Sequence, residues 1–486
     1  MSRVEPTLYW HDYETTGADP RRDRPVQFAG QRTDLRLEPV GGPTVLYCRP
    51  PRDLLPAPAA CAVTGIGPGR AEAEGLIEAE FAAAVIEELA QPGTCALGYN
   101  SIRFDDEVTR HLLWRNLHDP YAREYRDGNS RWDVIDVFRL AHALRPAGLE
   151  WPSREDGAPS FRLEDLAAAN GVEHDAHDAL GDVRTTIELV RRLRGVQPRL
   201  YDFAFSRRDK RSAGDLLRTD HVEPVLHVSE KYAASRGCIA PVAALAAHPS
   251  NANGVIVADL SADPRPLLEL DADAIAAALF KPGREREPDD PDIPLKLVKL
   301  NASPVLAPLG TLDAAAARRL GIDVERARDH LRRLRADGAL TARLRDVYDR
   351  PPPRDDDPDV ALYDGFVPDT DRRRMDAVRR RAPQALAGFD PGFADRRLPE
   401  VYFRYRARNW PDTLTAAEQA RWRELRWQRL CQGTAGSPRR LAEFRAELAA
   451  VREGGCLDES LAADLDAWEA TLMHELPACP RGDEDA

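Results

Sequence analysis

The sequence predicts an α/β protein: a mixed sheet flanked by helices, then a small β-containing domain and an all-α C-terminal domain. Three observations predict it. Over the first 195 residues strand-like and helix-like runs alternate, which is the signature of a sheet covered by helices. From about residue 198 the texture changes to short apolar runs separated by Pro, Asn and Gly, as in a small antiparallel sheet or barrel. Beyond the Pro- and Asp-rich segment 351–358 the apolar periodicity is helical.

In chain order, strands are expected near 7–15, 27–37, 44–48 and 94–99, with helices near 76–90, 104–117, 131–144 and 176–194. The middle region offers strands at Val225–Val228, Ile239–Leu245, Gly254–Leu260 and Leu295–Leu300, followed by helices near 313–320 and 324–346. Pro351 to Pro358 reads as an extended, charged linker unable to pack. Thr415-Ala416-Ala417-Glu418 is a capping box opening a helix through Leu430. Ser437-Pro438 reads as an N-cap with proline at the first helical position. A last helix is expected over 459–475, and the tail from Pro477 to Ala486 reads as disordered.

A chain of 486 residues holds two or three domains with ample core. The longest apolar stretch, Ala274 to Phe280, is seven residues, too short to span a membrane. Arg3, Glu5 and a strand starting at residue 7 leave no room for a signal peptide. Seven scattered cysteines without a Cys-x-x-Cys pair suggest reduced thiols, a cytoplasmic setting and no zinc site. The net charge of −13 leans against a nucleic-acid binder, although a local basic stripe suffices to neutralise phosphates. The five lysines all lie between residues 210 and 299, and arginine supplies the other cations.

The chemistry sits in three pieces. Asp12 and Glu14 lie two apart in an aromatic, β-branched run and so share one strand face, an arrangement of like charges that favours a bound cation. Asp105 follows a second strand-like run, with Phe104 free to anchor in the core. Asp182 falls on a helix continued by Val183, Ile187 and Val190, and His177 stands five residues earlier, at its entry. Taken singly, each piece has an ordinary structural reading: a solvated sheet edge, an N-cap, a surface histidine. Asp178 or Asp175 could cap the helix, and His174 is a second histidine nearby. Together, four carboxylates and an imidazole can hold two divalent ions and accept a proton from water, the equipment for cutting a phosphodiester bond.

Asp12-x-Glu14-Thr15, Asn100 through Phe104-Asp105, and His177-x4-Asp182 resemble the three motifs of the DEDD exonuclease superfamily, histidine subtype. Surrounding words narrow the resemblance to bacterial exodeoxyribonuclease I: His11-Asp12-Tyr13-Glu14-Thr15, Arg103 to Arg110, Asn129 to Asp133, Pro159 to Glu164, Leu362-Tyr363-Asp364-Gly365-Phe366, and Tyr405 to Asn409. The likeness is dense to about residue 210, looser in the middle, notably around Tyr232 to Cys238, and absent from the last ten residues or so.

That resemblance implies a ribonuclease H-like exonuclease domain over 1–196, an SH3-like middle domain over 197–350, a linker over 351–360, a helical C-terminal domain over 361–476 and a tail over 477–486. It implies 3′→5′ degradation of single-stranded DNA to 5′-mononucleotides, in DNA repair and recombination. Asp12, Glu14 and Asp182 are expected to hold one Mg2+, with Asp12 bridging to a second supported by Asp105; Mn2+ can substitute. His177 is expected to be the proton acceptor.

Cations on phosphates and aromatics under bases hold a single strand. Arg110, Tyr121, Tyr125, Arg139 and Arg162 are candidates within the matching motifs, Glu14 meets the terminal 3′-hydroxyl, and Lys210, Lys296 and Lys299 could contact phosphates. Tyr363, Gly365 and Phe366 lie where the family touches its strand, while Arg406, Arg408 and Asn409 could serve DNA or hold domains together. Family members bind the C-terminal tail of single-strand DNA-binding protein, for which Arg421, Arg423, Arg426 or Arg429 could serve here. A monomer is expected, with no membrane partner. Two alternatives stand: an RNA or oligonucleotide 3′→5′ exonuclease of the same superfamily, and a non-catalytic module that binds single-stranded DNA ends.

Overall fold

The computed structural model of the chain describes residues 5–174, 178–351 and 354–477. They form two compact units, one drawn from Met1–Ser130, Asp175–Arg184 and Pro353–Ala486, the other from Arg131–His174 and Thr185–Pro352.

The first unit is built on β1 (Thr7–Thr15), β2 (Pro25–Thr33), β3 (Thr44–Tyr47) and β4 (Thr94–Gly98), lying side by side in the order β3-β2-β1-β4. β1 is antiparallel to β2 and parallel to β4, and β2 is antiparallel to β3, so the sheet is mixed as expected. The residues of β1 alternate by period two. Tyr9 and Tyr13 join Phe28 in a core closed by Phe81, Val85 and Leu89 of α1 (Glu78–Leu89) and by Val108 and Leu112 of α2 (Asp105–Arg115). The alternate residues Asp12 and Glu14 therefore fall on the other face. The β1–β4 ladder stops at Trp10–Leu97, leaving both carboxylates beyond it at the carboxyl end of the sheet, where parallel ladders open a crevice. Gly98, the last residue of β4, lets the backbones approach closely there: a Cβ would come 2.6 Å from the His11 carbonyl oxygen.

The first turn of α3 (Ala179–Val196) belongs to this unit, as do C-terminal helices including α4 (Leu398–Asn409). Leu55 and Cys61 pack against Leu430, Phe444, Leu465 and Trp468. Trp114 and Leu117 pack against Met375, Val378, Leu398 and Val401. The first 130 residues and the last 120 or so thus share cores.

The acidic run after Pro351, expected to stay unpacked, is instead anchored: Asp357 and Asp359 are 4% and 1% exposed. Arginines explain it. Asp359 meets Arg24 at 3.1 Å, Arg404 at 3.2 Å and Arg408 at 2.5 Å; Asp357 meets Arg404 and, at 3.4 Å, Arg429. Arg408 and Arg429 also hold Asp53, at 2.8 and 3.2 Å, and Arg24 and Arg115 flank Glu78. A buried charge that is fully paired is tolerated; an unpaired one is not.

The second unit carries an antiparallel sheet of Val225–Val228, Ile239–Ala247, Gly254–Asp259 and Leu295–Lys299, edged by the short strand Leu306–Pro308, which was not among the expected strands. The helix expected over 324–346 is two, Val324–Ala336 and Leu340–Tyr348, because the Asp337 carboxylate accepts from the Ala339 N–H and turns the chain. Similarly the helix expected from 131 begins at Ile135, after the strand Ser130–Asp133, with Asp133 accepting from Ile135 N–H. The capping box at Thr415–Glu418 is present. Ser437 does not cap: its hydroxyl donates to the Arg439 carbonyl, and the helix starts at Leu441. Five described cysteines are free, but Cys431 is disulfide-bonded, contrary to the expectation of reduced thiols throughout. No described helix is long and apolar enough to cross a membrane.

Candidate active site

Asp12, Glu14 and Asp182 converge. Each offers a carboxylate oxygen, and these oxygens all lie within 4.8 Å of one another. Two devices aim the β1 pair. A register shift between Glu14 and Thr15 ends the regular ladder at the second acid, and such bulges commonly re-aim side chains beside active sites. Past it, the Thr16 hydroxyl donates to Asp23 and accepts from Arg24 N–H, closing the turn into β2. Gly17 is required in that turn, since a Cβ would stand 2.5 Å from an Asp23 oxygen.

Asp105 is the first residue of α2 and is 3% exposed. Its Oδ1 accepts from the Tyr13 backbone N–H at 3.0 Å, midway between Asp12 and Glu14. The Thr109 hydroxyl donates to the Asp105 carbonyl at 2.8 Å and meets the Tyr13 hydroxyl at 3.0 Å, locking the helix start onto β1. The carbonyl end of β4 and the start of α2 thus deliver the second motif to the first. His177 lies outside the described residues.

The electrostatics match a cation site. Burial, then Asp105, Asp182 and Glu14, push the Asp12 carboxyl well above the usual carboxylate range. Burial, then Asp182 and Asp178, push Glu14 up to about 8. Acids crowded this way hold protons until a cation replaces them. An all-oxygen set suits a hard divalent ion, so these residues fit a metal. Asp178, weighed only as a cap, does accept from Gly181 N–H at 3.2 Å, yet its charge also reaches Asp12 and Glu14. His11, beside Asp12 in sequence, belongs to the opposite face, packed on Tyr13 and Phe28 with its pKa lowered by burial to about 4.

Among the candidates for strand binding, Arg110 is heavily engaged. It forms a two-pronged bond to Glu124 at 2.8 and 3.0 Å, reaches Glu107 at 2.6 Å and the Tyr363 hydroxyl at 3.1 Å, and lies over the Tyr121 ring. Tyr363 also donates to Glu107. Gly365 is exposed, Tyr125 is 61% exposed and Phe366 89%, so the last two present open rings. In the second unit Arg162 is exposed beside Glu164, Lys210 and Lys299 are exposed, Arg139 is buried against Asp136 and the Phe161 ring, and Lys296 is half-buried on Ser229 and the Tyr232 ring.

The undecided residues after Tyr405 resolve toward structure. Arg408 sits in the buried ion cluster, Arg406 holds Glu418 and the Thr413 carbonyl, and Asn409 accepts from Ala79 N–H at 2.9 Å. Of the arginines considered for a partner pocket, Arg421 pairs with Glu400, Arg426 with Glu475 and the Arg52 carbonyl, and Arg429 with Asp53. Sequence reasoning missed Tyr13, Thr109 and Gln27; alternation along β1 could have placed Tyr13, whereas the other two depend on register.

Family models match along most of the chain: Exonuclease over residues 9–190, Exonuclease I SH3-like domain over 208–350 and Exonuclease I C-terminal domain over 356–471. The exodeoxyribonuclease I of Escherichia coli (strain K12) is 45% identical over 88% of this chain and 90% of its own length. Exonuclease I from Methylocaldum szegediense superposes with a TM-score of 0.92 at 50% identity, covering 97% of this chain and all of the other. The zinc-ion-bound E. coli exonuclease I–ssDNA complex gives 0.89 at 42%, covering 97% and 99%. A structure of SSB and exonuclease I with the inhibitor CFAM gives 0.89 at 41%, covering 97% and 100%. Two acids of β1 and one of α3 meet in one cage, and the relatives match before, between and beyond them; the chain belongs to the exodeoxyribonuclease I family.

Proposed function

We propose that this protein removes nucleotides from the 3′ end of single-stranded DNA, releasing 5′-mononucleotides, with Mg2+ as the natural ion and Mn2+ as a substitute. The observation that carries the reading is the cage of Asp12, Glu14 and Asp182, whose ligand atoms lie within 4.8 Å of one another. These three would hold one ion, and Asp12 with Asp105 would hold a second. When bound, such a pair supplies Lewis-acid stabilisation of the attacking and leaving oxygens of an in-line displacement.

The chain's own residues do the rest. The Tyr13 N–H fixes the Asp105 carboxylate, and the turn through Thr16 and Asp23 fixes the end of β1, so the acids are placed before substrate arrives. His177 accepts the proton of the attacking water, a role worth roughly 10²- to 10⁴-fold in rate. Glu14 also meets the terminal 3′-hydroxyl. The exposed rings of Tyr125 and Phe366 offer stacking surfaces for bases, and exposed Arg162, Lys210 and Lys299 offer charge for phosphates. Arg110, Tyr121 and Tyr363 act as one bonded group that positions the segment ending in Gly365 and Phe366.

We divide the chain into exonuclease (1–196), middle (197–350) and C-terminal (361–476) domains joined by 351–360, a reading supported by family models over 9–190, 208–350 and 356–471. A cytoplasmic role in repair and recombination, alongside the single-strand DNA-binding protein that accompanies a neighbour, completes the reading. The test is incubation with 3′-labelled and 5′-labelled single strands, a duplex and a labelled RNA, in Mg2+ or EDTA. Immediate release of the 3′ label from single-stranded DNA alone, abolished by EDTA, supports the proposal. Equal attack on RNA, or activity in EDTA, overturns it.

A further inference from the structure

Gln27 lies near the start of β2, directly across from Glu14 on β1 and from Tyr47 on β3, and is 2% exposed. Residues opposite one another in an antiparallel pair share a face, so Gln27 faces the same side as the acid cage. The hydrogen bonds its amide makes among the described residues all leave the strand. Its Nε2 donates to the Tyr47 hydroxyl at 3.0 Å and to Asp178 Oδ1 at 3.4 Å, and its Oε1 accepts from the Ala179 N–H at 3.3 Å. Ala179 opens α3, and its N–H is one of the helix-start donors left without an intrahelical partner. Asp182 sits one turn on, its own N–H bonded to the Asp178 carbonyl at 3.0 Å. Tyr47 is steadied in turn by Arg70, which donates to its hydroxyl at 2.7 Å.

We infer that Gln27 is a positioning residue for the metal cage: it pins the first turn of α3 to the sheet and so sets where Asp182 stands relative to Asp12 and Glu14. The inference rests on the metal-site reading above. Bringing Asp182 to two other acids opposes like charges, which drives the helix start away from the strand unless something holds it. A neutral amide suits this task, because it offers a donor to Asp178 and an acceptor to Ala179 without adding charge to the cage. The groups that support metal ligands from behind typically change metal affinity 10- to 100-fold when removed.

The test titrates the full chain with Mn2+ alone by calorimetry and follows single-turnover cleavage of a single-stranded oligonucleotide. Gln27→Met keeps the volume and loses all three bonds; Gln27→Asn keeps the chemistry and shortens the reach, and serves if the first variant does not fold. The expected result is Mn2+ binding weakened roughly 10- to 100-fold. Cleavage should slow at limiting Mn2+ and recover as Mn2+ is raised, with the oligonucleotide KM unchanged. Combined with Asp178→Ala, the losses should overlap and not add, since both variants break one brace. Metal affinity equal to wild type in a folded variant, or strictly additive losses, overturns the role of Gln27 and leaves the cage intact. A wild-type chain that binds no Mn2+ overturns both readings.

Discussion

Asp359→Asn is the sharpest probe of how the C-terminal helices are held to the exonuclease core. The substitution keeps shape and deletes one charge. Five guanidinium groups, those of Arg24, Arg115, Arg404, Arg408 and Arg429, meet five carboxylates, those of Asp53, Glu78, Asp357, Asp359 and Glu400. Except at Glu400, these side chains are 8% exposed or less. Removing Asp359 takes a partner from three arginines at once and leaves a net positive charge in a nearly dry cluster. Breaking a buried pair on one side costs about 3–5 kcal/mol, because the remaining charge stays uncompensated. The Ala79 amide reports this directly, since it donates to the Asn409 side chain at the end of α4 and exchanges with solvent when that contact opens. At about 1.4 kcal/mol per tenfold, its exchange should accelerate by roughly 10²-fold or more, in step with a lower urea midpoint. Arg445→Ala, which removes a largely exposed partner of Glu469, should leave both measurements unchanged. Ala79 exchange within about fivefold of wild type in Asp359→Asn, a change of about 1 kcal/mol, would refute the view that this cluster is what holds the two parts.

The cage makes further predictions. Asp182→Asn removes one of the three ligand carboxylates and should abolish both Mn2+ binding by calorimetry and DNA cleavage; unchanged affinity would show the trio is no site. His177→Ala should lower kcat roughly 10²- to 10⁴-fold while Mn2+ affinity holds, and near-normal turnover excludes it as the proton acceptor. Burial raises Glu14 to about 8, above its unfolded value, so the metal-free fold loses stability as pH rises toward 8. Mg2+ should therefore raise the melting temperature more above pH 8 than in the acidic range; a pH-independent gain would contradict this. For Asp53 and Asp359 burial acts upward but the arginines outweigh it, Arg408 foremost, holding both below the usual carboxylate range. Their contribution is present above the unfolded value of about 3.9 and is lost as pH falls below it, so Ala79 exchange should quicken on acidification.

Most of the site was legible because it is written in local patterns. Asp12 and Glu14 lie two apart on a strand, and that spacing alone fixes a common face. Helical spacing after Asp182 placed it on a helix. What the sequence does not carry is register. Nothing local says that Gln27 stands opposite Glu14, that the Tyr13 N–H points at Asp105, or that Thr109 reaches the Tyr13 hydroxyl. Each is a contact between strands or between strand and helix, determined only when the sheet is assembled. Asp337 and Asp133 are a local matter: each side chain accepts from the N–H two residues on, a turn that interrupts the helix where the apolar periodicity continues unbroken.

The acidic run after Pro351 failed for a different reason, and it bears on the charge balance of the whole chain. Composition reads a dense patch of Asp and Pro as solvated, because burying a carboxylate alone is prohibitive. That inference treats each segment by itself. Here the compensating arginines come from Arg24 early in the chain and from Arg404, Arg408 and Arg429 late in it, so no window of sequence contains the pair. Arginine suits such a site, being always charged, planar and able to bridge two carboxylates at once, as Arg408 does between Asp53 and Asp359. The net charge of −13 therefore says little about the cations left for DNA, because several arginines are already engaged in the interior. The exposed cations, not the total, decide how strongly phosphates are held.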